Sequence, residues 1–365
     1  MNNNESISAK QISILFFIFL TGSAIINIPG PLTALAKNGA WISLIISWTI
    51  GSLQLGCLLY LNGKFPGLSF IDYGRKTFGN LLTILLALPF ISLVLHMASG
   101  IVLDMGLFFK SSMMKDTSVY IIHGFIFFLI SLTARSGIET MARMFTVLMS
   151  ITMLAVFVTL LLASYYFHPE FLLPIAPDGI KPILFGTYFT CGFPYSEIFL
   201  FSMLLHYVSK EDKKNMNRGM FLALLVNGLC FILVTVCAIM ILGPASGNIK
   251  FALYQIARLI GIQDIIERIE SVIGYALVVG SYMKATLALL VLTLTIARLL
   301  KLPDHRILIF PLAFVNLLLS VVLFKGESRW GEVLTNVWPL WNLIANTCPL
   351  ILLTIVTMIK TNKSH

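Results

Sequence analysis

Residues Gln11 to Ala36 form an apolar run without a single charged side chain. Its length constrains the fold before anything else does: about 20 apolar residues, each rising ~1.5 Å, span the ~30 Å hydrocarbon core of a bilayer. The middle of the run, Thr21-Gly22-Ser23-Ala24-Ile25-Ile26-Asn27-Ile28-Pro29-Gly30-Pro31, is poor helix material. Gly is permissive, Ser and Asn compete for backbone hydrogen bonds, and Pro29 and Pro31 have no N–H to donate. In lipid a broken helix leaves polar backbone groups that only protein or a polar cavity can partner. An interrupted membrane helix is therefore a candidate binding site.

Nine further apolar runs follow, giving ten expected spans at about 11–36, 41–61, 81–109, 118–134, 140–166, 182–207, 219–242, 269–297, 306–324 and 334–359. Only 11% of the 365 residues are charged and 58% are hydrophobic, against about 25% charged in a soluble chain. The expectation is one all-α polytopic membrane domain, 1–365, with no sizeable soluble part. Cys57, Cys191, Cys230, Cys237 and Cys348 sit in apolar segments without C-x-x-C spacing, so neither a disulfide framework nor a metal site is expected. The N-terminal segment reads as a first span and not as a cleaved signal, because its apolar run is too long, and neither end shows a lipidation motif.

The net charge of +9 lies between spans. It reads as an orientation signal at a lipid bilayer, not as a nucleic-acid surface. With the N-terminus inside, the cytoplasmic segments hold fifteen of the 25 basic residues, the opposite side holds nine, and Lys284 lies within a span. Both termini are therefore expected on the cytoplasmic side. In the loop 243–268, residues 251–260 have helical apolar spacing, which predicts a short helix on the outer face.

Span six repeats the anomaly of span one: Thr190-Cys191-Gly192-Phe193-Pro194-Tyr195 places Gly and Pro near mid-membrane. Spans one and six open two five-span halves, 1–166 and 182–359. Matched interruptions at corresponding positions of two halves point to a transporter-type substrate site. The expected ligand-binding residues are Thr21, Gly22, Ser23, Ala24 and Ile25 with Thr190, Cys191, Gly192, Phe193 and Pro194. Freed amides near Ala24–Ile26 and Phe193–Tyr195 can hold a carboxylate, and carbonyls at Thr21–Gly22 and Thr190–Cys191 an ammonium.

No H-E-x-x-H, P-loop or G-x-S-x-G is present, so no enzyme, cofactor or metal is expected. The informative side chains are ionisable groups inside spans, where burial costs at least ~2.5–3.5 kcal/mol. Glu197 is placed to brace the unwound backbone or accept a proton; a plain interhelical hydrogen bond is the alternative. Lys284, mid-way along span eight, reads as a site brace or coupling group, able to donate to freed carbonyls of span one. His96 and Asp104 share a face of span three, with His96 the candidate brace; a hydrogen-bonded packing histidine and an aspartate near the outer surface are the alternatives. Arg258, Glu267, Arg268 and Glu270 form an expected outer vestibule, for which helix-dipole pairing is a sufficient structural reading.

These residues carry a family pattern. Gly22-x6-Pro29, Gly192 with Glu197, Ala257-Arg258-Leu259-Ile260 followed by Glu267-Arg268-x-Glu270-Ser271, and Gly280-x-Tyr282-x-Lys284 resemble the B-subunit family of spore germinant receptors (GerAB-type). That family is a branch of the amino acid/polyamine/organocation (APC) transporter superfamily. Leu277 departs from the pattern, standing where many relatives carry Trp. The resemblance covers the whole chain and implies a LeuT-type fold, a 5+5 inverted repeat with broken helices 1 and 6. It also implies a nutrient-sensing subunit in the spore inner membrane, with a small nutrient ligand, often an amino acid, and A-type and C-type partner subunits. A proton- or cation-coupled amino-acid permease is the alternative.

Overall fold

The structure, a computed structural model, describes residues 5–209, 212–260, 268–323 and 327–362. Among these, an isolated bridge between Ile7 and Val208 is the whole of the β content. Ser8 starts the first helix with reciprocal bonds: its hydroxyl accepts from Gln11 N (3.2 Å) and Gln11 Oε1 accepts from Ser8 N (2.9 Å). That helix, α1 (Ala9–Thr21), stops at Gly22 and Ser23; α2 (Ala24–Asn27) and α3 (Pro29–Ala36) continue the span. Pro29 opens α3, where its missing N–H has no partner to lose. Lys37, at φ +53°, then turns the chain into α4 (Ala40–Lys64).

A short amphipathic helix, α5 (Phe70–Phe78), follows in a stretch the span pattern treats as loop, and Ser69 and Asp72 cap it. Helices α6 (Asn80–Phe108), α7 (Val119–Arg135) and α8 (Ile138–Ala163) complete the first half. Span six is α9 (Ile180–Gly192), a break at Phe193-Pro194, and a 3₁₀ stretch, Tyr195–Met203. Next come α10 (Lys213–Leu242) and α11 (Ala252–Leu259), a short helix where one is expected at 251–260. They are followed by α12 (Glu270–Leu299) and α13 (Ile309–Val322). The last span is wound in pieces, α14 (Glu327–Glu332), α15 (Trp338–Asn342) and α16 (Cys348–Asn362), joined by wider π turns.

Among the described residues, seven helical runs are long and apolar enough to cross a membrane, and Val119–Arg135 and Arg306–Val322 are apolar but shorter. One of the seven, Pro29–Lys64, passes through the Lys37 turn and so joins spans one and two. With the interrupted span six, the ten expected crossings are accounted for.

Spans one and six run in opposite directions. Phe16 and Phe19 pack on Phe201 at ring-centroid distances of 5.0 and 5.7 Å, while Leu32 and Ala36 lie beside Gly186. α12 is the axis of the bundle, buried on nearly every face from Ile273 to Ala297. Polar side chains inside the bundle pair across spans: Asn227 donates to Thr21 Oγ1 (2.9 Å) and Ser99 to Asn316 Oδ1 (2.8 Å). The outward faces of α7, α8 and α13 expose Phe125, Leu154 and Phe314 among others, as a lipid solvent requires.

The two ends of the bundle differ. Residues 5–8, α5 and the end of α16 share one, the terminal face. There Ile7 N donates to Tyr207 O (3.1 Å), Arg298 pairs with Asp72, and Lys360 donates to Thr77 O (2.7 Å). Lys250, Arg258 and Glu270 lie at the opposite face, since α12 runs 30 residues from Glu270 to Leu299, about 45 Å of helix.

Candidate functional site

The break in span one leans on the central helix. A Cβ on Gly22 would lie 2.7 Å from Gly280 O, and one on Gly280 would lie 2.6 Å from Gly22 O. Gly22 thus makes room for a neighbouring backbone and not for a ligand. Gly192 does the same in span six, where an added Cβ would meet Pro339 Cα at 2.3 Å. Some of the amides expected to be free are also used. Ile26 N bonds Ser23 O (3.3 Å), and Phe193 N bonds Phe189 O (2.9 Å). The first closes the turn after the span-one break and the second ends α9, and they correct the expectation that Ile26 and Phe193 amides stand open for a carboxylate.

Thr21, Ala24 and Ile25 are buried, Thr21 receiving its bond from Asn227. The Thr190 hydroxyl bonds back to Gly186 O (2.8 Å), an ordinary i−4 bond. Cys191 is partly buried and Pro194 follows a cis peptide bond. Of the ten residues expected to bind ligand, Ser23 and Phe193 line the central cavity.

Glu197 and Lys284 are brought together. Glu197 sits in the first turn of the 3₁₀ stretch and Lys284 at the middle of α12, both essentially unexposed, with Nζ 2.5 Å from Oε2. Trp338 Nε1 donates to the other carboxylate oxygen at 3.5 Å. The ammonium also lies over the Phe193 ring at 4.3 Å and the Phe19 ring at 5.0 Å, distances at which a cation is drawn to an aromatic face. Removing two charges from water is expensive, and only close pairing with further bonds offsets it. The anticipated donation from Lys284 to span-one carbonyls is replaced by this pair, because a full negative charge is a stronger partner than a carbonyl dipole.

Both members line a cavity of about 240 Å³ between the two breaks, α6 and the start of span ten. Its polar groups include Ser23, Asn27 and Ser281, and the apolar wall includes Met97, Phe189 and Leu334. Asn27 Oδ1 and Trp330 Nε1, both on lining residues, find no hydrogen-bond partner among the described residues. Gly100 lets the Trp330 ring lie against α6, an added Cβ there meeting the ring at 2.4 Å.

Toward the Lys250 face the cavity ends at a second ion pair, Lys250 Nζ to Asp104 Oδ1 at 2.8 Å. Lys250 also borders a second cavity, of about 390 Å³, lined by Lys115, Tyr254, Arg258, Arg268 and Glu270. Three of the four expected vestibule residues therefore meet there; Glu267 lies outside the described residues. Toward the terminal face the path is filled with rings: Phe16 on Phe201 (5.0 Å), Phe90 on Phe199 (5.6 Å) and Phe70 on Phe199 (4.9 Å). His96 stands apart from the pair, its Nδ1 against Ser92 O (2.8 Å) and its ring 4.7 Å from that of Trp341. Lys250, Asn27, Trp330 and Trp338 were missed from the sequence. Lys250 is an ordinary loop lysine there, and which way Asn27 and the tryptophans face is set by packing between spans.

The spore germination protein (spore permease) family model matches residues 6–327. Spore germination protein KB of Bacillus subtilis (strain 168) is 24% identical over 339 residues, 92% of this chain and 90% of that protein. Spore germination protein YndE of the same strain is 24% identical over 197 residues, 53% of this chain and 54% of that protein. Among solved structures, a substrate-bound outward-open Na+-coupled sialic acid symporter superposes with TM-score 0.69 at 10% identity, covering 93% of this chain and 78% of that one. MhsT in complex with L-phenylalanine gives 0.69 at 12% identity, covering 97% and 99%. Mhp1, a nucleobase-cation-symport-1 transporter with bromovinylhydantoin bound, gives 0.66 at 13%, covering 93% and 76%. At such identities the likeness is one of fold, the LeuT-type arrangement of a multi-pass membrane protein. On the family match and these relatives, the chain belongs to the spore germination protein family, the permease-like B-subunit type of germinant receptor.

Proposed function

We propose that this protein is the nutrient-sensing subunit of a spore germinant receptor. A small nutrient, an amino acid by preference, enters the cavity between the interrupted centres of spans one and six and stabilises one arrangement of the bundle. A-type and C-type partner subunits read that arrangement in the spore inner membrane, with both termini of this chain on the core side. We read 1–166 and 182–359 as the two repeats that rock about the site. One observation carries the reading: a cavity of amino-acid size is bounded by both breaks and by the buried Glu197–Lys284 pair. A ligand shifts such an equilibrium only by its differential affinity for the two arrangements.

The fold likeness to transporters keeps a second reading in play, a proton- or cation-coupled amino-acid permease with Glu197 or Lys284 in coupling. Proteoliposomes containing this chain alone separate the two. Saturable binding of a germinant amino acid without uptake is the expected result for a sensor; concentrative uptake would make it a permease. Absence of binding would remove the cavity from both.

A further inference from the structure

Glu197 and Lys284 both line the cavity, yet each spends its charge on the other. The ammonium sits between Phe19 and Phe193, the kind of aromatic enclosure that holds an ammonium ligand. An ammonium subsite is therefore present and filled by the chain's own lysine. Glu197 Oε1 keeps capacity for another donor, since its bond from Trp338 is long at 3.5 Å.

We infer that the ligand is a zwitterion with an apolar body that inserts between Glu197 and Lys284, its ammonium replacing Lys284 at Glu197 and its carboxylate engaging the released Lys284. This inference rests on the reading above that the nutrient enters this cavity. Charge balance selects the class. Opening a buried ion pair leaves an uncompensated charge that is strongly unfavourable in an apolar site. A plain amine satisfies Glu197 but strands Lys284; a plain carboxylate does the reverse. A zwitterion brings one charge for each partner, so both charges of the pair stay matched before and after exchange.

The walls select the body. At interior packing density, ~0.74, a 240 Å³ cavity takes a ligand of about 180 Å³. Met97, Ile101, Phe189 and Leu334 give that body apolar surroundings. Asn27 Oδ1, without a partner among the described residues, accepts a second N–H from the ammonium. The exchange also explains how binding is felt. Glu197 belongs to the 3₁₀ half of span six and Lys284 to the central helix, so a ligand between them changes the spacing of two elements that the pair otherwise holds at contact.

The test uses the full-length protein in nanodiscs and the L-forms of valine, leucine, isoleucine, methionine and phenylalanine. Each is compared with its decarboxylated amine and its deaminated acid. The expected result is binding of at least one amino acid, with both single-charge analogues about 10- to 100-fold weaker, as for loss of one charged hydrogen bond. Lys284→Met should narrow or abolish the gap for the amine, and Glu197→Gln the gap for the acid. The doubly substituted protein, which lacks both members of the pair and so strands neither, separates folding defects from recognition defects. Wild-type binding in which the amine or the acid equals the parent amino acid overturns the insertion while leaving the cavity reading intact. Failure of the wild type to bind any of the five overturns the cavity reading and the inference together.

Discussion

Gly22 and Gly280 meet backbone to backbone at the break in span one, each occupying the space a Cβ of the other would need, at 2.6–2.7 Å from the opposing carbonyl oxygen. The break is therefore held against the central helix by the absence of two side chains. Gly280→Ala should wedge α1 from α12 and destabilise the protein by about 1–3 kcal/mol, the usual effect of overpacking. Gly124→Ala, where nothing lies within 4 Å, is the control. Equal thermal unfolding of the two variants in detergent would show that the close approach does not exist.

The Glu197–Lys284 pair gives a sharper energetic signature. Removing one partner, as in Lys284→Met or Glu197→Gln, should destabilise by about 3–5 kcal/mol, because the other charge is left buried and alone. Removing both should restore most of that loss. A double-mutant cycle on thermal stability reads the coupling directly. Additive single effects would mean the two groups do not form a buried pair.

Lys250 and Asp104 close the cavity toward the opposite face, 2.8 Å apart with 20% and 10% side-chain exposure. In a background lacking the native cysteines, a Ser23→Cys probe reports access from that face. Lys250→Met should speed its modification by a small thiol reagent roughly fivefold, the equivalent of about 1 kcal/mol for a part-exposed pair. An unchanged rate would show that the pair does not restrict entry.

His305 lies in the loop after α12, and burial holds its imidazole below the ordinary value of 6.5, with Asp304 and Glu5 opposing the shift. The folded state then binds fewer protons than the unfolded one as pH falls below that value. Stability from this group is complete above about pH 6.5 and declines as the pH drops toward the lowered value. Thermal unfolding from about pH 8 to about pH 5 should show a decline that His305→Gln reduces. An identical decline in the variant would assign the acid sensitivity elsewhere.

The ten crossings were legible because ~20 consecutive apolar residues have little alternative to spanning a bilayer. The two interruptions were legible because Gly and Pro weaken a helix by local sterics, which neighbours in sequence reveal. The amphipathic α5 was hidden in a loop too short and too charged to stand out by hydropathy, although its Ser69–Asp72 cap was written there.

The purpose of the glycines was not legible. Gly22 and Gly192 read as space for a ligand, and the fold fills that space with Gly280 and Pro339. A missing side chain records only that something approaches closely, not what. Glu197 and Lys284 were each visible as improbable charges in apolar spans, 87 positions apart. That they neutralise one another followed only from the packing of span six on α12.

Sequence alone thus determined that this chain lives in a membrane, where its helices break and which buried charges need an explanation. These follow from transfer free energies and backbone sterics, which act on each segment independently. Tertiary structure decided which residues face the cavity, that Glu197 and Lys284 pair within it, and that Lys250 and Asp104 close it on one side. Those depend on the direction each helix face takes once ten crossings pack together, and apolar spans that look alike in sequence carry no record of it.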